Sequence, residues 1–240
     1  MNPASRSHYN SCDMSETEKD RSEEREGLEE VYQGLTTLGN RVESVFADCV
    51  LALVEQDDEL ANTLREDNVR TRDAWFELDK TCTAIMSAGQ LSEWKARFLS
   101  ATIKIAMDMK RMADESFVIL EQMDNLSAGN MQSVTLERIP RMAEITQDML
   151  TDSVQALVDE NPGEARAPKT LHRELVSLNE EIYDDITDRL SEGETSAGAA
   201  VSLILVARTL QKVGDYALDI SMHVRRLFGH NHVEIPPEES

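Results

Sequence analysis

Aromatic residues are scarce: Phe, Trp and Tyr make up 5% of the 240 residues. No segment alternates apolar and polar residues over the length of a strand, and the aromatic, β-branched runs that build sheets are missing. Ala, Leu, Val, Ile, Met, Glu, Asp and Arg dominate instead, which is the composition of a helical protein. Cysteine is equally sparse. Cys12, Cys49 and Cys82 are odd in number and lack CxxC spacing, so neither a disulfide framework nor a zinc motif is expected. Cys49 and Cys82 fall in apolar helical stripes, where a reduced cysteine acts as a small hydrophobe. No apolar run reaches the roughly 18 residues of a membrane span, and the N-terminus lacks the basic start and apolar stretch of a signal peptide. A soluble, intracellular protein is expected.

Positive charge is also in short supply, with 24 basic against 46 acidic residues and a net charge of −22. That argues against direct nucleic-acid binding, which needs a basic footprint to release counterions, and against docking on anionic lipid. The excess reads as adaptation to high intracellular salt, where screening makes such a charge tolerable. A plain solvated acidic surface is the other reading. Catalytic signatures are missing as well: no Ser-His-Asp set, no GxxxxGK[ST] loop and no GxGxxG occurs. His172 and His223 stand singly.

What the chain does contain is a core. Hydrophobic residues make up 40%, enough to fold a domain of this length. Residues 1–22 are polar and aperiodic and read as a disordered tail, and residues 229–240, opened by Gly229 and carrying Pro236 and Pro237, as a flexible C-terminal tail. The "HNH" of residues 230–232 falls in that tail. Between the tails, three-or-four spacing of apolar residues predicts six helices. The first carries Leu35, Leu38, Val42, Val45, Cys49 and Leu53; the second begins near "QDDELA", with acids where the helix dipole favours them. The third runs from Leu91 to about Met123, the fourth from Thr135 to Val158 with Pro140 in its first turn, the fifth carries Leu171, Leu175, Leu178, Ile182 and Ile186, and the sixth runs from Ala197 to Phe228. Short loops between long helices force antiparallel neighbours, hence an up-down bundle.

The two halves match each other. "ALVEQDDELA" (52–61) aligns with "ALVDENPGEA" (156–165) at an offset of 104, and "IKIAMDMKRMAD" (103–114) with "ILVARTLQKVGD" (204–215) at 101. Two matches in the same order indicate duplication of a three-helix unit, placed at residues 23–125 and 133–228.

These repeats resemble the PhoU family, whose members regulate phosphate uptake. The family's third helices carry Glu-Arg, two small or apolar residues, then Asp. That pattern falls on Lys110, Arg111, Met112, Ala113 and Asp114, and again on Gln211, Lys212, Val213, Gly214 and Asp215. The family's Asp-Leu-Arg run corresponds to Lys95, Ala96 and Arg97, and "EDNVRTRDAWFELDKTCTAI" (66–85) is similar to its second helix, with Asp67 and Cys82 in familiar places. The similarity covers roughly residues 28–228.

The resemblance implies an all-α fold of tandem three-helix bundles, with the third and sixth helices near a pseudo-twofold axis and the halves clasped through faces bearing Asp114 and Asp215. Carboxylates four apart lie on one helix face, and two such faces suit divalent or iron cations, which PhoU proteins hold in clusters. Here Lys110 and Gln211 replace both family glutamates, and neither is a comparable ligand. The carboxylates left as candidate ligands are Asp114, Asp215, Asp219 and Asp108; the alternative for Asp114 is an ion pair with Lys110. Lys110, Arg111, Gln211, Lys212 and Arg97 are the candidate partner-binding residues. Glu180, Asp184 and Asp188 form a four-spaced acidic line expected to face solvent.

The function implied is a non-catalytic regulator of phosphate uptake, in contact with the ATP-binding subunit of a phosphate transporter and with a signalling partner, and homodimeric. A degenerate scaffold of the same fold, serving another transporter or a transcriptional circuit, is the alternative. A di-iron type carboxylate enzyme ranks lower, because neither third helix carries Glu-x-x-His.

Overall fold

The computed structural model describes residues 25–126, 135–163, 165 and 168–229. The terminal segments read as tails, Gly229 apart, lie outside the described residues, as do His230 and His232. Among those residues there are six long α-helices and one 3-10 turn, and no strand: α1 Glu29–Glu55, α2 Asp58–Ser87, α3 Glu93–Glu121, the turn Met123–Asn125, α4 Thr135–Val158, α5 Pro168–Ser191 and α6 Ala197–Phe228.

Local chemistry sets the ends. Asp57 caps α2 by accepting from the backbone N–H of Glu59 at 3.0 Å and Leu60 at 2.9 Å. Ser92 caps α3 through Lys95 N–H and Ser196 caps α6 through Ala199 N–H, each at 3.2 Å. Each cap satisfies donors that the first helical turn leaves unpaired. Pro168 opens α5, where its missing N–H costs nothing. Pro140 departs from expectation. It is the sixth residue of α4 rather than part of its first turn, so α4 forms without a bond to the Leu136 carbonyl.

The core is a repeated stripe. α3 buries Phe98, Thr102, Ile105, Met109, Met112, Ser116 and Ile119. A shift of 101 residues gives Ala199, Leu203, Val206, Leu210, Val213, Ala217 and Ile220 of α6, all buried too. Alternating steps of three and four keep such a stripe on one side of each helix. α1, α2 and α3 pack together, as do α4, α5 and α6. The triplets join through α3 against α6 and α1 against α4. Gly39 marks the α1–α4 crossing: a Cβ there would lie 2.8 Å from Val154 Cγ1, so only glycine lets these backbones approach so closely. No helix among the described residues is long and apolar enough to cross a membrane.

Candidate functional site at the seam between the third and sixth helices

α3 and α6 run antiparallel, and Arg111, Glu115, Lys212 and Tyr216 fall along one seam between them. Arg111 Cζ lies 6.0 Å from the ring centroid of Tyr216, and Lys212 Nζ lies 2.7 Å from Glu115 Oε1. Arg111 and Lys212 are 101 residues apart, as are Glu115 and Tyr216. The two contacts are therefore the same contact seen twice about a pseudo-twofold axis, one as an ion pair and one as a cation over an aromatic face. The Glu115 carboxylate raises the Lys212 ammonium above its ordinary value.

Further along the seam the charges crowd. Asp108 is 7% exposed and accepts from Arg111 Nη1 at 3.5 Å. Burial, then the like charge of Asp219 on α6, pushes its carboxyl up to about 6, with Arg111 pulling the other way. His223 lies one turn beyond Asp219. Burial lowers its pKa, and Lys104 of α3 and Arg226 of α6 lower it further, while Asp219 opposes them.

Asp114 and Asp215 do not meet at this seam. Lys110 Nζ donates to Asp114 Oδ2 and sits 5.9 Å from the ring centroid of Trp75 on α2. His172 of α5 donates from Nε2 to Asp215 Oδ1 at 2.6 Å. Each motif aspartate is thus tied to the side of its own triplet, and the clasp expected through Asp114 and Asp215 is corrected to one through residues 111, 115, 212 and 216. The reason is helical geometry: one residue along a helix rotates the side chain by about 100°, so neighbours in sequence face different helices. Asp114 meets the ion-pair alternative. The partner of Asp215 was missed, because His172 lies 43 residues away and no local pattern joins them.

Of the candidate ligands, Asp114 is paired with Lys110, Asp215 with His172 and Asp108 with Arg111, while Asp219 lies one turn beyond Asp215 on α6. Among the described residues, no group of three or more His, Cys, Asp or Glu side chains could hold a metal ion. The donor set does not fit a carboxylate cluster, since an ammonium occupies Asp114 and an amide stands at position 211. Of the candidate partner-binding residues, Arg111 and Lys212 project from the seam with side chains 54% and 45% exposed. Arg97 lies farther up α3, 3.9 Å from Glu93 on an exposed face. Lys110 and Gln211 are half-buried. On α5, Glu180, Asp184 and Asp188 are exposed, as a solvent face requires. Glu180 and Asp184 also edge an open cavity of about 380 Å³, lined in addition by Tyr183, Ile204, Ala207 and Arg208.

Both triplets match the family model of the PhoU domain, over residues 35–123 and 139–224. The chain belongs to the PhoU family. Among its relatives, a phosphate-specific transport system accessory protein PhoU homolog of Methanothermobacter thermautotrophicus is 24% identical over 197 residues, covering 82% of this chain and 90% of the relative. One from Pseudomonas putida is 26% identical over 198 residues, with 81% and 76% covered. The crystal structure of PhoU from Pseudomonas aeruginosa superposes with a TM-score of 0.80 at 20% identity, over 85% of this chain and 97% of that one. The phosphate transport system regulatory protein PhoU of Streptococcus pneumoniae gives a TM-score of 0.78 at 18% identity, over 87% and 98%. Both three-helix units of the PhoU fold are thus present in this chain.

Proposed function

We propose that this PhoU-family chain is a non-enzymatic regulator that restrains phosphate uptake by binding the ATP-binding subunit of a phosphate transporter in the cytoplasm. The observation that carries this reading is the family match across both triplets, joined to relatives named as accessory proteins of phosphate-specific transport systems. The seam offers a recognition surface. Arg111 and Lys212 offer two partly exposed basic side chains near Tyr216, and their remaining donors can meet acceptors on a partner. A signalling protein and a second copy of the chain belong to the same reading, and sedimentation equilibrium tests the second.

Co-purification with the tagged ATP-binding subunit tests the contact. Binding is expected for the native chain, and charge reversal at Arg111 and Lys212 together, in a variant whose helical content and melting are retained, is expected to abolish it. Unchanged binding would remove the seam from the interface, and no binding by the native chain would remove the partner.

A further inference from the structure

In each triplet the motif aspartate receives its donor from the chain itself, and that donor links the third helix of the unit to the outer one. In the first, Lys110 donates to Asp114 on α3 while its ammonium lies 5.9 Å from the Trp75 ring centroid on α2. In the second, His172 on α5 donates to Asp215 on α6 at 2.6 Å. A cation held on such carboxylates would likewise occupy their oxygens and cross-link neighbouring helices.

We infer that this chain has exchanged metal for side chains, with Lys110 and His172 taking over the bridging role in the two triplets, so that the fold holds together without a bound cation. Three features support the exchange. An ammonium on Asp114 repels any cation that approaches the same carboxylate, and Lys110 would have to lose its proton before it could become a ligand. The contact over Trp75 gives Lys110 a second attachment that a bare surface lysine lacks. Asp108, the nearest further carboxylate upstream on α3, is held by Arg111 at 3.5 Å rather than left open to a cation. The inference rests on family membership and on these two contacts, not on the proposed partner, so either can fail alone.

The test pairs metal analysis with thermal melting of the full chain. The purified protein is expected to carry no stoichiometric Mn, Fe or Zn, and its melting temperature is expected to be the same with chelator, with Mn²⁺ and with Fe²⁺. Lys110→Met and His172→Phe should each lower the melting temperature by about 2–4 °C, again without response to chelator or metal. A stoichiometric metal that leaves with chelator and takes several degrees of stability with it overturns the inference. So do variants at both positions that melt with the native chain.

Discussion

Asp108 on α3 faces the like charge of Asp219 on α6, and the pair shares its stretch of seam with Arg111. The family motif does not include this relationship, yet it makes the stability of the junction between the two triplets depend on pH.

The Asp108 carboxyl is raised from 3.8 to about 6. Between those values the folded chain holds a proton that the unfolded chain has released. The associated stabilisation is therefore complete below about pH 4 and is lost as pH rises through 6. Asp108→Asn removes the penalty of burying the charge and should stabilise the protein at pH 7 by about 1–3 kcal/mol, flattening the profile between pH 4 and 6. Urea denaturation across that range checks it. An Asn variant less stable than the native chain at pH 7 would show that the Arg111 contact outweighs burial.

Glu115 and Lys212 should couple weakly. Both are at least partly exposed, so a double-mutant cycle to alanine is expected to give about 0.2–1 kcal/mol, shrinking as salt rises from physiological to molar concentration. A salt-insensitive coupling would mean that the seam is shut from solvent.

A side chain at Gly214 would collide with Leu175. A Cβ there would lie 2.3 Å from Leu175 Cδ2, and Leu175 is itself fully buried. Gly214→Ala should cost about 1–3 kcal/mol through overpacking despite the better helix propensity of alanine. In a Leu175→Ala background the same change should become neutral or stabilising, by up to about 1 kcal/mol. Equal costs in both backgrounds would place the strain elsewhere.

Cys49 and Cys82 are both 0% exposed, and burial pushes their thiols up to about 12 and about 11. Alkylation at pH 8 should therefore label neither until the chain unfolds, so labelling tracks the melting curve. Fast modification of Cys82 in the folded protein would mean that α2 opens locally.

Much of this was legible in the sequence because a packed helix must repeat its apolar residues. Phe98, Ile105, Met109, Met112 and Ile119 of α3 keep helical spacing in the sequence and are all buried. The limits of α4 and α6 also coincide with the expected Thr135–Val158 and Ala197–Phe228. The site was legible only in part. Periodicity says that Asp114 shares a face with Lys110, and the structure pairs them. It does not say which neighbouring helix that face meets, because the rotation of α3 about its axis is fixed by the whole core. Hence the two aspartates were expected at the seam, whereas Arg111, Glu115, Lys212 and Tyr216 occupy it. The His172–Asp215 contact joins two helices through tertiary packing alone, and only coordinates reveal it.

The most direct test of the regulatory account is phosphate uptake in cells in which this is the sole PhoU-family chain, compared with and without its gene at high external phosphate. Uptake that stays high after deletion, and falls again when the native chain is restored, is the predicted result. Uptake that shuts down normally in the deletion strain would contradict the account.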